Sequence, residues 1–136
     1  MDLQLFGDLM MARILIVEDT SNIRILMTTL FQKRGHEIVE ASNGLEALQT
    51  LIQDSNFDVI VTDMEMPTLN GSKLIETVKV YYPNIYIVAM SAHGAYIEDA
   101  RDTGADSIVH KPFSYHTLVD IIDDIASKHL SQKSKR

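Results

Sequence analysis

The run Phe57-Asp58-Val59-Ile60-Val61-Thr62-Asp63-Met64-Glu65-Met66-Pro67 constrains this chain more than any other. Val59, Ile60 and Val61 in succession predict a strand buried on both faces, as in a parallel sheet, and not a half-wet hairpin strand. The run ends in a carboxylate, and a proline four residues later keeps a helix from starting at once. A buried strand that delivers an acid at its C-terminal edge places that acid in the crevice where open α/β sheets bind ligands. Aspartate also caps turns and helices very often. On this stretch alone, Asp63 fits a site acid and a turn cap equally well.

From Arg13 onward, strands alternate with helices. Arg13-Ile14-Leu15-Ile16-Val17 predicts a central strand ending at Glu18-Asp19. Thr20 or Ser21 can cap the next helix, in which Ile23, Leu26, Met27, Leu30 and Phe31 fall on one stripe, and Gly35 stops it. Glu37 to Ala41 alternates in polarity, as a half-exposed edge strand does. Asn43-Gly44 turns into a second helix with the stripe Leu45, Leu48, Leu51 and Ile52. After the strand ending at Asp63, Asn70-Gly71-Ser72 offers a turn and a cap. Leu74, Ile75 and Val78 form the inner face of a third helix that ends before Pro83.

Ile85 to Met90 predicts the fourth strand, followed by Ser91-Ala92-His93-Gly94. The helix at about Ala95 to Thr103 has only Tyr96, Ile97 and Ala100 for core contacts, so it is expected to be the least firmly anchored. Gly104 ends it. Ser107 to His110 is a short last strand running into Lys111-Pro112, and Leu118, Ile121, Ile122 and Ile125 mark the inner face of the final helix. Five such units predict an α/β fold: a doubly wound, five-stranded parallel sheet with helices on both faces, because consecutive parallel strands need right-handed helical crossovers. Glu18-Asp19, Asp63, Ser91 and Lys111 then stand at the C-terminal ends of different strands and gather along one edge.

A chain of 136 residues with 46% hydrophobic content forms one domain with a real core. It has no cysteine, which excludes disulfides, thiolate metal sites and cysteine nucleophiles and fits a cytoplasmic protein. No run approaches the length of a membrane helix and the first residues lack the basic-then-apolar form of a signal peptide, so membrane insertion is not expected. Four of the 12 basic residues, Lys128, Lys133, Lys135 and Arg136, follow the last acidic one, Asp124. The body ahead of them is strongly acidic and would repel nucleic acid. The expected organisation is an N-terminal extension over 1–11, a domain over 12–130 and a basic tail over 131–136. The extension reads as an upstream start without a role of its own, the alternative being a short arm on a neighbour. The tail reads as a solvated terminus.

Three carboxylates in one crevice raise each other's pKa unless a cation neutralises them. An all-oxygen ligand set favours a hard divalent ion, most simply Mg²⁺. Lys111 adds a mobile ammonium charge and Ser91 a hydroxyl, which together suit a phosphoryl group. Neither G-x-x-x-x-G-K-S/T nor G-x-G-x-x-G occurs, which argues against nucleotide turnover and leaves a carboxylate that itself accepts a phosphoryl group. His36, His110, His116 and His129 have no ligand spacing and read as structural or solvated.

Ile14 to Asp19 (ILIVED), Val61 to Pro67 (VTDMEMP), Ser91-Ala92, Gly104-Ala105-Asp106 and Lys111-Pro112-Phe113 resemble the receiver domain of bacterial two-component response regulators, over about Arg13 to His129. The resemblance implies a flavodoxin-like (βα)₅ sheet of order 2-1-3-4-5. It makes Asp63 the phosphoacceptor. Asp19 would bind Mg²⁺ directly, Glu18 through water, and the backbone carbonyl of Glu65 would be a further ligand. Ser91 would hydrogen-bond the phosphoryl oxygens and Lys111 would pair with them. Lys111-Pro112 becomes a candidate cis bond.

The family's switch aromatic, three residues before the lysine, is here Ile108, so a ring rotation there is lost. Glu65 and His93 match positions that tune phosphoryl lifetime; the plain alternative for both is an exposed loop side chain. The expected partners are a sensor histidine kinase or histidine phosphotransfer protein, and a downstream target met through the fourth helix, fifth strand and fifth helix. The expectation is a stand-alone signalling receiver, not an enzyme. Its alternatives are a phosphorylation-independent scaffold and a small Mg²⁺-dependent phosphohydrolase with Asp63 as nucleophile.

Overall fold

Alternate residues of each central strand feed opposite cores. In the computed structural model, which describes residues 11–66 and 68–134, β1 (Arg13–Val17) sends Ile14 and Ile16 to one side and Leu15 and Val17 to the other. All four are fully buried. The expectations for residues 1–10, for Pro67 and for the final two residues lie outside the described residues.

The other elements follow in the predicted alternation: α1 (Ser21–Lys33), β2 (Glu37–Ala41), α2 (Gly44–Gln53), β3 (Val59–Asp63), α3 (Gly71–Tyr81), β4 (Tyr86–Ser91), α4 (Gly94–Thr103), β5 (Ser107–His110) and α5 (Tyr115–Ser134). The last helix continues into the stretch expected as a tail. The sheet is parallel throughout, in the order β2-β1-β3-β4-β5. Helices α1 and α5 cover the face of Ile14, Val59 and Val88; α2, α3 and α4 cover the face of Leu15, Ile60 and Ile87. This is the flavodoxin-like arrangement expected from the resemblance. The register sets Asp63 beside Met90, and Ser91 beside His110, so the strand ends line up along one edge.

Helix ends follow local chemistry. Asn43 accepts a hydrogen bond from the backbone N–H of Glu46, and Asn70 from that of Lys73. Gly35 and Gly104 adopt φ of 95° and 106°, conformations that cost glycine little. Thr20 occupies the N-cap of α1, but its side chain makes no cap bond.

Two predicted stripes are corrected. In α1, Met27 and Phe31 are buried while Leu26 is exposed. In α2, Gly44, Ala47 and Leu51 are buried, whereas Leu45 and Ile52 face solvent. A Cβ built on Gly44 would lie 2.5 Å from the carbonyl oxygen of Leu69, so this end of α2 presses its smallest residue onto the β3–α3 loop. The helix is thereby rotated about one position from its largest residues. In α4 only Ala100 is buried; Ile97 is half-buried and Tyr96, expected as a core contact, is exposed, which leaves the helix with little packing.

At the opposite edge of the sheet, the backbone N–H of Ala12 donates to His36 Nδ1 at 3.1 Å. That bond leaves the ring proton on Nε2, which donates to Asp123 Oδ1 at 2.8 Å. Arg34 holds the other oxygen of Asp123 at 2.6 Å. His36 is thus structural, as its sequence setting suggested.

Candidate functional site

Each site residue stands where a strand gives way to a loop. Glu18 and Asp19 follow β1, Asp63 and Ser91 close β3 and β4, and Lys111 follows β5, joined to Pro112 by a cis peptide bond. Glu18, Asp63 and Ser91 are buried, with relative exposures of 1%, 4% and 0%. Asp19 is exposed at the mouth. One oxygen from each of Glu18, Asp19 and Asp63 lies within 4.8 Å of the others. Lys111 Nζ donates to Asp63 Oδ1 at 3.0 Å.

Crowding of acids has the expected electrostatic result. Burial, the adjacent Asp19 carboxyl and the charge of Asp63 push the Glu18 carboxyl up to about 7, against the opposing Thr20 N–H and Lys111. Glu18 Oε1 is buried with no hydrogen-bond partner, which costs free energy unless a cation meets it. Burial disfavours the Lys111 ammonium, but the hydrogen bond and charge of Asp63, with Glu18 and Glu65, outweigh it and raise its pKa. An all-oxygen donor set with an unsatisfied buried oxygen and excess negative charge fits a hard divalent cation such as Mg²⁺.

The Ser91 hydroxyl does not bond Asp63. It donates to Glu65 Oε1 at 2.7 Å, and the Ala92 N–H donates to the same oxygen at 3.3 Å. Glu65 Oε2 lies 4.0 Å from His93 Nε2. Burial works against the Glu65 carboxylate, but Ser91, the Ala92 N–H, His93 and Lys111 prevail and lower its pKa. Its side chain is therefore engaged; the sequence position alone fitted a free loop residue equally well. Ile108, where the resemblance places a switch aromatic, is an aliphatic side chain packed against the core on the α2, α3 and α4 side.

Sequence reasoning passed over Arg24, whose Nη1 donates to the Glu18 carbonyl at 2.7 Å. Its only sequence signal was a lone cation one turn into α1, behind an acidic pair.

A parallel sheet of this order, with acids, a hydroxyl and a lysine at one edge, defines a flavodoxin-like receiver fold. The response regulator receiver domain family matches residues 14–123, and the chain belongs to that family, the receivers of two-component systems. It is 34% identical to sporulation initiation phosphotransferase F of Bacillus subtilis over 128 residues, covering 93% of this chain and 99% of that protein. It is 31% identical to chemotaxis protein CheY of Thermotoga maritima, covering 84% and 97%. The chemotaxis response regulator CheY4 of Vibrio cholerae superimposes with a TM-score of 0.77 at 28% identity, over 85% of this chain and 98% of that one.

Proposed function

We propose that Asp63 accepts a phosphoryl group from a phosphohistidine of a sensor histidine kinase or a histidine phosphotransfer protein, and that the phosphorylated chain alters its contacts with a target protein. The observation that carries this reading is the Lys111 ammonium 3.0 Å from a buried Asp63 carboxylate, itself grouped with Glu18 and Asp19. The B. subtilis relative's name, a phosphotransferase, supports it. Glu18, Asp19, Asp63 and the Glu65 carbonyl would hold Mg²⁺. When bound, Mg²⁺ supplies positive charge that offsets the carboxylates and the oxygens of the transferring group.

In the transfer, an oxygen of Asp63 attacks phosphorus, the P–N bond breaks, and the imidazole leaves with the electron pair and takes up a proton. Lys111 exchanges part of its bond to Asp63 for a phosphoryl oxygen, compensating the charge of roughly −1.5 to −2 that such a group carries. Ser91 and the Ala92 N–H must release Glu65 to reach the new oxygens. That exchange of partners converts an event at Asp63 into a movement at the β4–α4 loop. The target would meet the surface of α4, β5 and α5.

The test is intact mass after incubation with acetyl phosphate and Mg²⁺. One phosphoryl adduct per native chain is expected, absent from Asp63→Asn and absent when the metal is chelated. An adduct that survives Asp63→Asn, or none in the native chain under rapid handling, would refute the assignment.

A further inference from the structure

Arg24 lies in the first turn of α1, its backbone N–H bonded to the Thr20 carbonyl at 3.0 Å. Its side chain folds back over the β1–α1 loop. Nη1 donates to the Glu18 carbonyl at 2.7 Å, and Nε to Glu40 Oε1, on β2, at 3.1 Å. The guanidinium thereby ties a helix, a loop and an edge strand together, and only 18% of the side chain is exposed. The Glu18 N–H donates to the Ala41 carbonyl at 3.1 Å, and Glu18 Oε2 accepts from the Thr20 N–H at 3.2 Å. Glu18 is thus held at its N–H by β2, at its carbonyl by Arg24 and at one carboxylate oxygen by the loop, with Oε1 alone lacking a partner.

From this geometry we infer that Arg24 is a positioning residue for the cation site: it fixes the peptide that carries Glu18 and Asp19 so that their carboxylates face Asp63. The inference rests on the reading of this cluster as a Mg²⁺ site. Arg24 touches neither the phosphoryl group nor the metal in that reading, and it acts through the Glu18 backbone. Two physical effects of removing it have opposite signs. Acting only through charge, a guanidinium near the cluster repels a cation, so its loss would tighten Mg²⁺ binding. Acting as a restraint, it presets the ligands, and its loss weakens binding, as loss of residues supporting metal ligands commonly does by 10-fold or more.

The experiment is a Mg²⁺ titration of the full chain followed by backbone amide shifts of Asp19 and Met64, for native protein, Arg24→Met and Arg24→Lys. It is paired with the Mg²⁺ dependence of acetyl phosphate labelling. For Arg24→Met, a Mg²⁺ dissociation constant about 10-fold weaker is expected, with the labelling rate at saturating Mg²⁺ within roughly twofold of native. Arg24→Lys keeps the charge but not the two-pronged donor geometry, and is expected to fall between them. Binding as tight as native or tighter in Arg24→Met overturns the inference. If that variant does not fold, Arg24→Lys decides: weakened binding supports the restraint and native affinity overturns it. A native chain that binds Mg²⁺ but takes no phosphoryl group refutes the proposed function while the titration still decides the role of Arg24. A native chain that binds no Mg²⁺ overturns both.

Discussion

Glu65 has the side chain whose role the tertiary structure changed most. Its carboxylate occupies the two donors, Ser91 Oγ and the Ala92 N–H, that a phosphoryl group on Asp63 would need. It is therefore an internal competitor for them, and its charge opposes an incoming anion. Hydrogen bonds to a charged group contribute on the order of 1.5–3 kcal/mol each, so in the proposed transfer their release would add to the barrier. Glu65→Ala is expected to speed acetyl phosphate labelling about 10-fold, the equivalent of roughly 1.4 kcal/mol. Time-resolved intact mass gives the rate, and an equal or slower rate would show that Ser91 is not held back. Lys111 has the opposite setting: its carboxylate neighbours keep it charged and bonded to Asp63.

At the scale of elements, the helices show how far periodicity reaches. Leu45, Leu48, Leu51 and Ile52 share a stripe by spacing, yet the buried positions of α2 are Gly44, Ala47 and Leu51, with Leu48 half-buried. Hydrophobicity favours the larger residues; the close approach of Gly44 to Leu69 decides the rotation. Leu51→Ala should then cost about 2–5 kcal/mol through the cavity it leaves. Ile52→Ala, at a position 76% exposed, should change stability by no more than about 0.5 kcal/mol. Urea unfolding of the two variants reads both values, and equal losses would contradict this orientation of α2.

Across the whole molecule, the site edge and the α4, β5 and α5 surface are joined through Ser91, which ends β4, and Lys111, which follows β5. Helix α4 has a single buried residue, so little packing opposes its displacement. A beryllofluoride mimic of the aspartyl phosphate with Mg²⁺ is expected to change amide hydrogen exchange over α4, β5 and the first turns of α5. The β2 edge and the His36 to Asp123 clasp should keep their protection. An unchanged α4 surface would sink this route of coupling.

What the sequence by itself determined was local. Apolar runs such as Ile14 to Val17 and Val59 to Val61 specify central strands because a residue buried on both faces has no polar option, and glycine at positions 35 and 104 marks helix ends because positive φ favours it. The acids, serine and lysine after those strands were legible as a cluster because parallel topology brings C-terminal strand ends to one edge. Tertiary structure alone decided which face each helix buries, that Ser91 bonds Glu65 and not Asp63, that Arg24 holds Glu18, and that His36 meets Asp123. Arg24 and Glu18 are six positions apart, but Ser91 and Glu65 are separated by 26 and His36 and Asp123 by 87. Their geometry depends on how packed elements settle against one another, which no local pattern encodes.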